Sequence, residues 1–260
     1  MKIRNIAAAA ALVVASLGQG AMAAPVLWVS DGDGTLGTVD VATGAATVVG
    51  QMSQVMTDIA FDSSGNLWGI TFGQLFKINS TTAATTLVGN LGTSLNSLVF
   101  GADGTLYSAN NSLWKINTST GVASLIGSGG GYTSSGDLAF IGSQLFLTAT
   151  GGASDRLFDL NEATGAGTFI GNLGVSSAFG LATDNNINLY GVAGQGVYSI
   201  NTGTGAASFL NNYAGTSLGA AFGSAFFSEA GAPVPEPGTI ALTGLALLAA
   251  FGASARRRRS

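Results

Sequence analysis

LYSANNSLWKINTSTGVASLIG, Leu106 to Gly127, decides the reading of this chain, because its pattern occurs five times. It opens on a Leu-aromatic pair, runs into an apolar stretch that stops at Ile-Asn-x-x-Thr-Gly, and closes on a second glycine six residues later. The opening pair recurs as LWVSD at Leu27, LWGIT at Leu67, LFLTA at Leu145 and LYGVA at Leu189, so successive copies lie 40, 39, 39 and 44 residues apart. The turn recurs as TVDVATG, KINSTTA, DLNEATG and SINTGTG, and its last residues are Gly44, Ala83, Gly121, Gly165 and Gly205. Six positions on stand Gly50, Gly89, Gly127, Gly171 and Asn211. A further apolar run follows in each copy: DIAFDSSG, SLVFGADG, DLAFIGSQ, GLATDNN and finally GAAFGSA.

Each copy therefore holds four short β-runs between turn residues, and the body shows no helical period. Asp40, Asn79, Asn117, Asn161 and Asn201 can each bond their own backbone two residues on, and the glycine that ends the turn supplies a positive φ. Ala83 departs from this rule, which implies either a different turn or stored strain. Four strands in ~40–45 residues is the requirement of a β-propeller blade. We expect an all-β body over 24–230 with five four-stranded blades and the AF-type strand innermost. The first copy, from Val26, lacks an AF-type strand, and the last such run, Leu218 to Ser224, has no blade of its own. Pairing the two closes the ring and removes open edges. A β-solenoid is the alternative, although its rungs are usually shorter; two subunits completing a larger ring is a further one.

Charge is scarce and segregated. Charged residues make up 8% of the 260, against about 25% in ordinary globular proteins. Lys2 and Arg4 lie at one end and Arg256, Arg257, Arg258 and Arg259 at the other, leaving Lys77, Lys115 and Arg156 against all 13 acids. The body is thus strongly acidic, which excludes nucleic acid as a partner and disfavours docking on anionic lipid. The chain has no cysteine and no histidine, so disulfides, thiolate chemistry and the commonest general base and metal ligand are all missing.

The two ends read as targeting segments. Residues 1–23 have a basic start, an apolar run from Ile6 to Leu17 and small residues Ala21 and Ala23 ahead of Ala24, the pattern of a signal peptide handled by the Sec translocon and signal peptidase. An uncleaved anchor is the alternative, but about twelve apolar residues are short for a span. After a linker over 231–238, residues 239–255 form an uncharged run that as a helix reaches ~26 Å, the lower limit for crossing a bilayer. The arginines of 256–260 hold its end in the cytoplasm, anchoring the exported body to the inner membrane.

Val234-Pro235-Glu236-Pro237-Gly238, an apolar helix and a terminal arginine cluster together resemble the PEP-CTERM sorting signal of exported Gram-negative bacterial proteins. That resemblance implies recognition of the Pro-Glu-Pro motif by an exosortase-type membrane enzyme, passage to the cell surface or extracellular matrix, and an association with exopolysaccharide and biofilm. An ordinary C-terminal anchor with a proline-rich stalk is the alternative. The blades also resemble a broad group of bacterial propellers, some similar to lactonases or quinoprotein subunits. No enzyme's site motif transfers to any position here.

Candidate chemistry in the body is thin. Asp31-Gly32-Asp33-Gly34 is the densest acidic cluster, but an EF-hand would need a carboxylate where Ala42 stands, so a hairpin turn is expected. Asp58 and Asp137 lie next to inner strands and suit either an axial metal or turn and rim positions. Asp62, Asp103 and Asp184 follow inner strands, where turns favour Asp. Lys77 and Lys115 are the bases available to a Ser or Thr nucleophile, yet they occupy equivalent framework positions. Trp28, Trp68, Tyr107, Phe146 and Tyr190 share one repeat position and suit packing between blades better than stacking on sugars. The expectation is a non-catalytic exported propeller with no cofactor or metal, which binds exopolysaccharide or matrix proteins. The alternatives are a propeller enzyme (lactonase or metal-dependent hydrolase) and a permanently anchored structural surface protein.

Overall fold

A computed structural model of the chain describes residues 25–230 and folds them into five four-stranded antiparallel sheets. Blade 1 joins the two ends of the body: β1 (Val26–Asp31), β2 (Thr35–Asp40) and β3 (Ala46–Gln51) are completed by β20 (Ala221–Phe226). Blade 2 is β4 (Asp58–Phe61), β5 (Leu67–Ile70), β6 (Gln74–Ile78) and β7 (Thr85–Asn90). Blade 3 is β8 (Val99–Phe100), β9 (Leu106–Ala109), β10 (Leu113–Ile116) and β11 (Ala123–Gly127). Blade 4 is β12 (Ser134–Ile141), β13 (Gln144–Ala149), β14 (Arg156–Leu160) and β15 (Gly167–Asn172). Blade 5 is β16 (Ala178–Asp184), β17 (Asn188–Ala193), β18 (Gly196–Ile200) and β19 (Ala207–Asn212).

The AF-type strands adjoin one another in the order β20, β4, β8, β12, β16 and back to β20, so they line a common axis. The body is a five-bladed β-propeller closed by its two terminal strands. Burial falls outward within each blade: β4 and β5 are buried throughout, whereas β7 is partly exposed along its length. The closing strand starts at Ala221, later than the sequence suggests, because Tyr213 to Leu218 form a turn in which Thr216 N–H donates to the Tyr213 carbonyl.

Successive blades meet where the Asn/Asp turn of one backs onto the outer strand of the one before. At three joints this is a glycine–glycine backbone contact. A Cβ on Gly165 would lie 2.3 Å from the Gly127 carbonyl oxygen, and one on Gly205 2.8 Å from the Gly171 carbonyl carbon. Ala83 makes the same turn as its glycine counterparts, with φ of 60° and the same 2.8 Å bond from its N–H to the carbonyl of Asn79. Of the two readings the sequence left open, strain is the one realised. Left-handed backbone costs an L-residue roughly 1–2 kcal/mol, offset here in part by burial of the alanine methyl. At the closing joint Asn211 replaces the glycine, and its side-chain amide donates to the Ala42 carbonyl at 2.9 Å.

Two outwardly similar substitutions are therefore expected to diverge. Gly165→Ala forces backbone atoms apart and should cost at least about 2 kcal/mol, which lowers Tm by ~4–8 °C. Ala83→Gly relieves strain but loses a methyl and gains unfolded-state freedom, leaving Tm within about 2 °C of the parent. Calorimetry of both variants checks this; equal losses would contradict it.

Candidate functional site

The axis carries the least ordinary chemistry in the ring. Asp58, Ser97, Asp137, Gly180 and Gly223 occupy one register position, three residues before Phe61, Phe100, Phe140, Thr183 and Phe226, which lie opposite the leucines of the second strands. Asp58 and Asp137 are both fully buried. Asp58 accepts from its neighbour Ile59 N–H at 2.8 Å and from Leu98 N–H of the next blade at 2.5 Å. Asp137 repeats the arrangement, accepting from Leu138 N–H at 2.7 Å and from Leu181 N–H of its next blade at 2.5 Å. Ser224 Oγ of blade 1 adds a longer contact to Asp137 at 3.4 Å. The two carboxyls thus tie together all five inner strands. Gly223 leaves the space this needs, since a Cβ there would stand 2.5 Å from Asp58 Oδ1.

Two carboxylates cannot both ionise in so dry a place. Burial pushes both groups well above the usual carboxylate range, and the two carboxyls hydrogen-bond to each other. The nearby charge of Asp137 adds to the rise on Asp58, so the two carboxyls titrate as a pair that shares a proton. A third buried acid, Glu229, is raised by burial first and by Asp137 second. Its Oε1 accepts from Thr183 N–H at 3.2 Å.

Glu229 sits where the repeat fails. Trp28, Trp68, Tyr107 and Tyr190 pack on the inner-strand phenylalanines of neighbouring blades, Phe61, Phe100, Phe140 and Phe226, with ring centroids 5.5, 5.9, 5.6 and 5.2 Å apart. Phe146 meets blade 5, where Thr183 stands in place of phenylalanine and its buried hydroxyl has no partner. The shared aromatic position is thus built into the joints between blades.

The other sequence candidates serve the backbone. Asp31 Oδ1 accepts from Asp33 and Thr35 N–H at 3.0 and 2.7 Å, and its Oδ2 from Gly219 N–H at 2.8 Å, so the cluster is a hairpin turn that also pins the loop before β20. Asp62 accepts from Ser64 and Asn66 N–H and from Trp68 Nε1, which hold its carboxyl below the ordinary range despite partial burial. Asp103 is held low by Thr105 in the same way, and Asp184 accepts from Ser228 Oγ at 3.3 Å. Lys77 lies over the Trp68 ring at 4.7 Å and borders a shallow polar cleft of about 450 Å³ with Asn66, Asn79 and Thr86. Lys115 is exposed on β10. Asp155, which no repeat position singles out, is buried and accepts from Ser135 Oγ and Ala178 N–H, linking blades 4 and 5. Among the described residues, no group of three His, Cys, Asp or Glu side chains gathers as a metal site. Ala21, Ala23, Ala24, Val234 to Gly238, Arg256 to Arg259 and the expected span over 239–255 lie outside the described residues.

Residues 233–259 match the family model of the PEP-CTERM protein-sorting motif. The chain carries a PEP-CTERM sorting signal. That signal implies export and processing by an exosortase-type membrane enzyme. No curated protein matches the chain in sequence. Among solved structures, a symmetrical protein studied for its de novo evolutionary emergence is similar over 72% of this chain and 90% of its own, at 17% identity and a TM-score of 0.51. A chain of the nidogen/laminin complex covers 77% and 97%, at 13% identity and 0.52. A gluconolactonase from Xanthomonas campestris covers 75% and 78%, at 15% identity and 0.48. At these identities the likeness is one of fold.

Because Asp58, Asp137 and Glu229 have folded pKa values above their unfolded ones, the fold holds protons that the unfolded chain releases above about pH 4. Their contribution is complete below that pH and is lost as pH rises through the folded values. Unfolding in urea should therefore show the parent more than ~1 kcal/mol more stable at pH 5 than at pH 9, one pKa unit being worth ~1.4 kcal/mol. Asp58→Asn keeps a donor toward Asp137 but removes the titrating proton. It should be less stable than the parent at pH 5 and reduce the decline, of which Asp137 and Glu229 still carry the rest; an unchanged slope would refute the shared-proton axis.

Proposed function

We propose that this propeller is a non-catalytic exported protein, delivered to the cell surface or extracellular matrix by its PEP-CTERM signal, where it binds exopolysaccharide or another matrix component. The observation that carries this reading is the joining of a sorting motif at 233–259 to a ring whose buried and turn aspartates are bonded to its own backbone. Asp58 and Asp137 accept from the backbone of the inner strands, and Asp31, Asp62 and Asp103 hold turns. A hydrolase would need a carboxylate or base free to meet substrate, and with no histidine in the chain these acids are its natural source. The surface, rich in Ser, Thr, Asn and Gly, suits hydroxyl-bearing polymers.

The fate of the tail separates a sorted protein from a permanently anchored one. Intact-mass analysis of the protein taken from the outside of its own host should find a C-terminus near Glu236 or Pro237. Retention of Arg256 to Arg259 on surface-exposed protein would contradict sorting by cleavage. Retention of the processed protein on host exopolysaccharide then tests binding, and free passage at millimolar glycan would overturn the matrix role.

A further inference from the structure

The two faces of the ring differ in a way that assigns them different tasks. Leu27 pairs with Phe226, so the start of β1 and the end of β20 lie side by side on one face. Each inner strand runs toward that face, which places there the turns after β4, β8, β12 and β16 and all five Asn/Asp turns. The residues beyond β20 stay on it: Phe227 packs on Phe61 at 5.2 Å, Glu229 bonds Thr183, and Ala230 joins the apolar cluster of blades 2 and 3. Eight residues separate Ala230 from Thr239, a reach of about 30 Å. This is therefore the face from which the chain leaves the ring toward its tail.

Acidic side chains follow the same division. Asp40, Asp62, Asp103, Glu162 and Asp184 lie on turns of the tail-side face, with Asp159 close by on β14. On the opposite face Asp31 and Asp155 are buried and bonded, which leaves Asp33 as the exposed carboxylate among the described turns there, with Arg156 at its edge. The far-side loops are uncharged over long stretches, as in MSQVMT, LGTSLNS, SGGGYT and YAGTSLG. Aromatic rings lie on this side: Phe72 at a turn tip, 61% exposed, and the half-buried pair Phe179 and Phe222 near the starts of β16 and β20. On the same side Asn96 Oδ1 and the buried Ser134 Oγ have no hydrogen-bond partner.

We infer that the face opposite the chain ends is the docking surface, and that its ligand is an uncharged polysaccharide. Rings that cover the apolar faces of sugars, amide and hydroxyl groups that exchange hydrogen bonds with theirs, and a near absence of charge select a neutral polymer over a uronate or sulfated one. The acids on the tail side outnumber its two lysines, Lys77 and Lys115, and repel anionic polymers. This rests on the matrix-binding reading above and adds to it the face and the ligand class.

Affinity electrophoresis of the exported protein, in gels holding dextran, hydroxyethyl cellulose, alginate or host exopolysaccharide, tests it. Retardation is expected in at least one neutral polymer and none in alginate. Phe72→Ser combined with Phe179→Ser should weaken retardation at least threefold, while Glu162→Gln on the tail side leaves it unchanged; Phe72→Ser alone, at so exposed a site, controls for folding through an unaltered Tm. Retention by host exopolysaccharide that ignores the far-side substitutions, or that falls with Glu162→Gln, overturns the assigned face and leaves the matrix role standing. Retardation confined to alginate overturns the ligand class. No retardation in any of the four polymers overturns both readings.

Discussion

The pairing of β20 with β1 is the constraint on which the rest of the ring depends. Every other neighbouring strand pair within a blade joins strands adjacent in sequence, whereas this ladder brings Leu27 against Phe226. Closing so long a loop carries an entropic cost that grows only slowly with length, but no local contact repays it in advance. The closing joint is accordingly stitched by further long-range bonds: Gly219 N–H to Asp31, Ser30 Oγ to the Gly223 carbonyl, and Asn211 to the Ala42 carbonyl. Asn211 is also where the glycine of the other outer strands is replaced. The one joint that the chain cannot make by continuing its repeat thus gains polar bonds from both of its ends.

Closure also explains why the axis is filled as it is. Five inner strands bring five like register positions together, and five large side chains would not fit. The chain places aspartates at two of them, serine at one and glycine at two. Each aspartate spans to the next blade, so two side chains collect donors from four inner strands and a hydroxyl from the fifth. Burying them at this density is tolerable because one proton is shared and every oxygen is bonded. The substitution of Thr183 for phenylalanine opens a second irregular space, and Glu229 of the terminal segment reaches it.

Much of this was legible in the sequence, and the physical reason is repetition. Spacings of 39 to 44 residues, with a leucine-aromatic pair and an Asn-x-x-Thr-Gly turn in register, point to blade number, strand count and the closing partner before any contact is known, with a solenoid or a larger two-subunit ring as the alternatives. Asn79, Asn117, Asn161 and Asn201 bond the backbone at the positions their turns predict. The axial pair was legible only as two inner-strand acids, since which way Asp58 and Asp137 face is set by ring closure rather than by local pattern. Asp155 and Glu229 could not be singled out, because each lies where no other repeat has a counterpart. β8, reduced to Val99 and Phe100, is shorter than its SLVFGADG motif suggests.

The outer rim shows how the ring lives with five open edges. Edge strands are usually guarded by charge or proline, yet β3, β7, β11, β15 and β19 contain neither. Each instead carries a bulge at the same place, leaving Val49, Val88, Ile126, Ile170 and Leu210 unpaired against the third strand. The bulge turns two adjacent apolar residues to different sides. Val49, Val88, Ile126 and Ile170 pack inward, while their neighbours Val48, Leu87, Leu125, Phe169 and Phe209 remain 43 to 57% exposed. A bulge bends and twists the edge away from flat pairing with another strand, so it protects without adding charge. That choice suits a body whose few acids are gathered mostly on the tail-side face, away from the flank where the edges lie.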